Sequence, residues 1–237
     1  MDRDLQAQRG DAHAQGREDQ YAGRQRALKA AVVKGTPPPG AGAWSLGVAV
    51  GTTGARRFRL YRPPDVKLSE RLPLVVMLHG CGQDANGFAT STRINRIAMR
   101  ERFLVLYPEQ DRLVNPQGCW NWFDTSSGRA FGEAGLIMQG IDQVCQLHPV
   151  DSKRVAIAGL SAGASMAALL VTLHPGRFKA VVMHSGIPPG TADSTLVTVS
   201  RLAHAWSGGA ANKPFSDAKG PDASRMVWAF AARQFRV

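Results

Sequence analysis

Cysteine is scarce in this sequence, with three in 237 residues, and no cysteine–histidine spacing recommends a metal site. Long apolar runs are also missing. None approaches the roughly 20 residues of a membrane-crossing helix, so no membrane span is expected. The opening residues Met1-Asp2-Arg3-Asp4-Leu5-Gln6 lack the apolar core of a secretory signal, and the sequence as it stands reads as soluble, without a readable export signal. Acidic residues are outnumbered, 18 against 29 basic, giving a formal charge of +11 and a pI near 10.3. Such an excess invites a polyanion partner, but the arginines are scattered and no recognisable nucleic-acid-binding module accompanies them. No specific nucleic-acid partner is expected, and the charge is read as a source of solubility and nonspecific adhesion.

What is present fits one globular domain with ragged ends: 44% hydrophobic and 20% charged residues, with 25 glycines and 14 prolines. Residues 1–43 are rich in Arg, Gln, Ala, Gly and Asp and run into Pro37-Pro38-Pro39, which reads as a mobile arm and linker. Residues 44–237 are expected to form the folded domain. Phe58-Arg59-Leu60-Tyr61-Arg62 alternates apolar and basic residues before Pro63-Pro64 and reads as an edge strand. Leu74–Leu78 and Phe103–Tyr107 are continuous apolar runs of the kind found in buried parallel strands, with a helical segment carrying Ile94, Ile97 and Ala98 between them. Gly135–Leu147 predicts a further helix, Val155–Ala158 and Ala180–His184 further strands, and Thr195–Val199 a last one. The repeated strand–helix–strand units imply an α/β fold, a mostly parallel sheet with helices on both faces, with chemistry at the carboxyl ends of the strands.

At one such end stands Gly159-Leu160-Ser161-Ala162-Gly163, between the apolar run Val155–Ala158 and the small-residue helix that His174-Pro175-Gly176 closes. This is the pattern of a nucleophile elbow: a strand turning sharply into a helix, with glycines where larger side chains would collide. The spacing points to a serine hydrolase with Ser161 as nucleophile. Its oxyanion needs preorganised donors, and His79-Gly80-Cys81-Gly82-Gln83 follows the 74–78 strand at the same edge. By position, the amides of Cys81 and Ala162 are the expected oxyanion pair, and His79 is read as support for this loop rather than as the base.

The run Leu72–Gln83, Tyr107-Pro108-Glu109-Gln110, Gly118-Cys119-Trp120-Asn121-Trp122-Phe123, Gly159–Gly163 and His204-Ala205-Trp206-Ser207-Gly208-Gly209 resembles the polyhydroxybutyrate depolymerase family of esterases, from about Arg56 to the end. The resemblance implies an α/β-hydrolase fold, ester hydrolysis through an acyl-enzyme without a cofactor, and relatives among feruloyl and acetylxylan esterases. It also implies polymeric or small-molecule ester substrates and an extracellular setting, against which the missing export signal leaves a cytoplasmic one open. It maps Ser161 to the nucleophile and His204 to the general base. The α/β-hydrolase order of serine, acid, then histidine after the last strand supports His204 as well.

Between Ser161 and His204 the only acidic residue is Asp193. It precedes the expected last strand, at the wrong edge of the sheet. A strand–helix–strand crossover needs roughly 30 residues, so the unit that would carry the triad acid has no room, and the chain reads as shortened between about 190 and 195. Glu109 and Asp124 lie on loops at the correct edge, without a spacing that assigns either. Asp217 and Asp222 read as surface or capping residues. Trp120 and Trp206 are candidates for an aromatic wall against the substrate, with packing as the other reading, and Trp122 less so. Cys81 and Cys119 fall on loops at the site edge and can be bridged in an oxidising compartment, whereas Cys145 reads as a small core residue. The expectation is a serine esterase impaired by a missing acid. The alternatives are a catalytically inactive homologue acting as a binding protein, and a peptidase or acyltransferase using the same serine.

Overall fold

The computed structural model describes residues 41–186 and 204–236. The arm at residues 1–40, Asp193, the shortened stretch at 190–195 and the strand expected at Thr195–Val199 lie outside the described residues.

Six strands form the main sheet: β1 (Ala43–Gly51), β2 (Gly54–Arg62), β3 (Leu72–Leu78), β4 (Leu104–Pro108), β5 (Val150–Leu160) and β6 (Ala180–His184), in the spatial order β1-β2-β4-β3-β5-β6. From β4 to β6 the neighbours are parallel, while β1, β2 and β4 pair antiparallel. The helices are α1 (Ala85–Thr92), α2 (Ile94–Glu101), α3 (Arg129–Leu147), α4 (Ala162–Leu173) and α5 (Ala223–Gln234). A second, two-stranded parallel ribbon joins β7 (Trp206–Ser207) to β8 (Ser216–Asp217).

Every residue of β3 is buried because both of its faces are covered. Leu74, Val76 and Leu78 point to one side, where Ala134, Ile137 and Ile141 of α3 and Met166 and Leu170 of α4 complete the core. Val75 and Met77 point to the other, against Phe88 of α1, Ile94 and Ile97 of α2, and Val227 of α5. This period of two on a strand apolar at each position is the physical meaning of the continuous hydrophobic run. The mostly parallel sheet with helices on both faces is the architecture expected.

The placement of β2 differs from expectation. The stretch Phe58–Arg62 is interior, between β1 and β4, and the edge strand is Ala43–Gly51. Alternation of apolar and basic residues marks two unlike faces and says nothing of whether a strand has partners on both sides. The edge strand escaped the sequence reading because AWSLGVAVG is rich in small residues and is paired only through a hairpin. A basic residue earlier on β2 is itself inward: Arg56 is 3% exposed and lies on the α3 side of the sheet.

Candidate active site

At the carboxyl end of β5 the chain reverses at Ser161 with φ 55° and ψ −122°, and α4 starts at the next residue. That left-handed conformation is unfavourable for a serine and persists because the turn is clamped on both sides. A Cβ on Gly159 would sit 2.4 Å from Gly163 C and O, and one on Gly163 would sit 2.3 Å from Leu78 O. Both contacts are to backbone, which cannot yield, so glycine at each position is what allows β5, α4 and β3 to meet. Ser161 N donates to His184 O at 2.9 Å, and Ser161 O accepts from Ser165 N at 3.1 Å. The Ala162 amide opens α4 and, as a first-turn amide, has no acceptor within the helix.

The neighbouring loop after β3 is fixed by side chains from elsewhere. His79 is fully buried; its Nδ1 is 2.9 Å from Gly80 O and its Nε2 accepts from Gln110 N at 3.1 Å. Nδ1 therefore carries the proton. Burial pushes the His79 pKa down to about 4, so the ring is neutral near pH 7 and both nitrogens are engaged. A proton acceptor for Ser161 needs a free ring nitrogen. His79 is a support of the loop, as expected. Gly80 N donates to Gln83 Oε1 at 2.9 Å, Gly82 N to Gln117 O at 2.9 Å, and a disulfide joins Cys81 to Cys119.

His204 lies two residues before β7 and is exposed. Its neighbour in space is His184, whose pKa is lowered first by burial and then by the charge of His204. The His184 ring stacks on Trp206 with centroids 5.0 Å apart, and its Nε2 accepts from Ser207 N at 3.3 Å. The elbow and the segment carrying His204 are thus both tied to His184. Among the described residues, no hydrogen bond joins Ser161 Oγ to the His204 ring, and no histidine is paired with a carboxylate. Glu109 accepts from Ala85 N and faces Arg57, Asp124 accepts from Ser127 N and faces Arg129, and Asp222 caps α5 by accepting from Arg225 N at 3.1 Å.

Of the two readings of Trp120 and Trp206, substrate wall and packing, their burial fits packing. Trp120 is 0% exposed and Trp206 1% exposed, so neither indole presents a face to a substrate. Trp120 Nε1 donates to His79 O at 3.0 Å, and Trp206 Nε1 to Ser224 Oγ at 3.1 Å. Each indole packs its rings in the core and uses its single donor to hold a loop, which is how a buried tryptophan is satisfied. Trp122, half-buried, packs edge-on against Phe123.

Sequence reasoning missed one buried carboxylate altogether. Glu133, 3% exposed on α3, accepts from Gln110 Nε2 at 2.8 Å, Asn121 N at 3.0 Å and Asn121 Nδ2 at 2.6 Å, and lies 3.9 Å from Arg56. Its only signal in the sequence is a glutamate among the small and apolar residues of an otherwise inward helix face. Among the described residues, no group of three or more His, Cys, Asp or Glu side chains is arranged to hold a metal ion.

Residues 56–211 match the family model described as esterase PHB depolymerase. The chain belongs to that family. The chain is 33% identical over 184 residues to poly(3-hydroxyalkanoate) depolymerase C of Paucimonas lemoignei, across 74% of this chain and 44% of that one. It is 29% identical over 132 residues to feruloyl esterase B of Neurospora crassa, across 55% of this chain and 44% of that one. The chain therefore spans less than half the length of these relatives. Among solved structures, an S-formylglutathione hydrolase from Agrobacterium tumefaciens superposes with a TM-score of 0.52 at 20% identity, over 66% of this chain and 61% of that one. That likeness concerns the fold, an α/β-hydrolase sheet. The family match begins at Arg56 on β2 and takes in β3 to β7, with the loop at 79–83, the elbow and His204 inside it.

Proposed function

We propose that this protein hydrolyses carboxylic esters through an acyl-enzyme on Ser161. The observation that carries the reading is the backbone of Ser161 itself, φ 55° and ψ −122° between β5 and α4, a strained turn that holds a hydroxyl at the rim beside the first helical amide. Ser161 Oγ attacks the ester carbonyl carbon while His204 takes the hydroxyl proton. The amides of Cys81 and Ala162 receive the oxyanion, and His204 returns the proton to the departing alcohol. Water, deprotonated by the same imidazole, then releases the acid and regenerates the serine.

The relatives' names, a poly(3-hydroxyalkanoate) depolymerase and a feruloyl esterase, support polymeric hydroxyacyl esters or aromatic feruloyl esters as substrates. The Cys81–Cys119 disulfide supports an oxidising, extracellular setting. Loss of a triad acid lowers turnover by about ten-thousandfold while the oxyanion donors retain some acceleration over water. The absence of a histidine–carboxylate pair among the described residues supports a slow enzyme of this kind. The same observation favours a second reading, an inactive homologue that only binds esters.

Fluorophosphonate labelling separates the two. The esterase reading expects labelling of the wild type that disappears in Ser161→Ala and falls steeply in His204→Ala. Turnover of p-nitrophenyl butyrate and of a feruloyl ester then distinguishes aliphatic from aromatic preference. Labelling unchanged in Ser161→Ala removes this serine from the chemistry; no labelling of the wild type favours the binding protein.

A further inference from the structure

We propose that Glu133 and Gln110 are positioning residues for the oxyanion loop, acting through a buried relay that holds the Cys81 amide from both of its flanks. The proposal rests on the ester-hydrolase reading of Ser161 and concerns what keeps that site's donors in place.

The relay starts at the Glu133 carboxylate, which receives only donors: Gln110 Nε2, Asn121 N, Asn121 Nδ2 and, at longer range, the Arg56 guanidinium. Each amide in it has its orientation fixed by a second partner. Gln110 Oε1 accepts from Arg56 Nη1 and from Asp111 N at 3.1 Å, while Gln110 Nε2 also donates to Cys119 O at 2.9 Å. Asn121 Oδ1 accepts from Asn115 Nδ2 at 2.9 Å. These contacts fix the orientation of the Gln110 and Asn121 amides, while Arg56 Nε is buried without a hydrogen-bond partner.

Two branches leave it for the loop at 79–81. Gln110 N donates to His79 Nε2, and the far side of that ring is joined to Gly80 O. The segment 119–121, pinned by Glu133 at Asn121 and by Gln110 at Cys119, supplies Trp120 Nε1 to His79 O and the sulfur bonded to Cys81. Arg56 closes the structure, its guanidinium 5.6 Å from the centre of the Trp120 ring. One branch fixes the peptide before Cys81 and the other fixes its side chain, so both converge on the residue whose amide the ester-hydrolase reading assigns to the oxyanion. Oxyanion donors act by being preorganised, and a small displacement is expressed in the transition state far more than in ground-state binding.

Glu133→Gln preserves shape but turns an N–H group toward a site that holds donors alone. Because it also strands the Arg56 charge, it is paired with Gln110→Met, which removes the side-chain links of Gln110 to Glu133, Arg56 and Cys119 O while keeping its backbone bond to His79 and the Glu133–Arg56 pair. Three readouts are taken: kcat and KM for p-nitrophenyl butyrate, the inhibition constant of phenylboronic acid, which forms a tetrahedral adduct on the serine, and thermal stability. In both variants kcat is expected to fall by about tenfold or more and phenylboronate to weaken by the same factor, with KM changed by no more than about twofold. Arg56→Met combined with Glu133→Gln is expected to recover stability without recovering kcat. Gln110→Met with kcat and phenylboronate affinity within about twofold of wild type overturns the proposal, as does recovery of kcat in the double variant.

A wild type that neither turns over ester nor takes up fluorophosphonate refutes the Ser161 reading separately. Amide hydrogen exchange over 80–82 then decides this one: faster exchange in Gln110→Met supports the relay, and unchanged exchange overturns it.

Discussion

The amide of Ser161 donates to the carbonyl of His184 at 2.9 Å, and the ring of that histidine stacks on Trp206 and accepts from Ser207 N. His184 is therefore the joint between the elbow at the end of β5 and the segment that follows His204. Trp206 is the floor of that joint. Phe88 meets it edge-on at 5.5 Å on one side, and its indole nitrogen donates to Ser224 Oγ, which in turn donates to Thr92 O.

Trp206→Phe is accordingly expected to lower stability by about 1–2 kcal/mol, through the lost donor and the smaller ring. KM for a short-chain ester should change by no more than about twofold. Urea unfolding and steady-state kinetics on one preparation check this. A tenfold rise in KM at unchanged stability would restore a substrate-facing role for the indole.

At the elbow, strain and crowding predict opposite effects at neighbouring positions. Ser161→Gly relieves the left-handed backbone and is expected to raise stability by about 1 kcal/mol while abolishing fluorophosphonate labelling. Gly163→Ala drives a methyl into Leu78 O and is expected to lower stability by about 3 kcal/mol. Denaturation midpoints for the two variants, read against wild type, test the pair.

The buried His79 makes stability depend on pH in one direction. Its folded-state pKa of about 4 lies below the ordinary value of 6.5, so the unfolded chain binds the extra proton in that window. Its contribution is complete above about pH 6.5 and is lost as pH falls through 4, on the order of 3 kcal/mol in all. Urea midpoints measured from pH 7 to pH 4 should decline accordingly, and that part of the slope should vanish in His79→Asn.

The Cys81–Cys119 bond closes a loop of 38 residues, so replacing both cysteines by serine is expected to cost about 3–4 kcal/mol through the freed unfolded chain. Dithiothreitol should reproduce the loss in the wild type and leave the double variant unchanged.

The parts of the site that could be read in advance are those made by consecutive residues. GLSAG specifies its own turn, because the clash that excludes a side chain at Gly159 is with atoms four and five residues on. The strands β3, β4 and the inner half of β5 and helices α3 and α4 were visible for a similar reason: burial on two faces leaves a continuous apolar run, and burial of one stripe leaves a helical period. The edge strand Ala43–Gly51 carried too little apolar contrast to be seen, and the basic alternation of Phe58–Arg62 was placed at an edge that belongs to its neighbour. Trp120 and Trp206 looked like a substrate wall because they flank site residues in sequence, yet indole burial depends on what the rest of the fold brings against each ring.

The sequence by itself determined the α/β architecture, the elbow and the loop beside it, since each rests on short-range sterics or on hydrophobic period. Only the tertiary structure decided the strand order, the burial of the tryptophans, the neutral His79 and the pairing of Arg56 on β2 with Glu133 on α3. Those features depend on desolvation and on hydrogen bonds between residues far apart in the chain. Desolvation acts on a group only after the surrounding elements have closed over it.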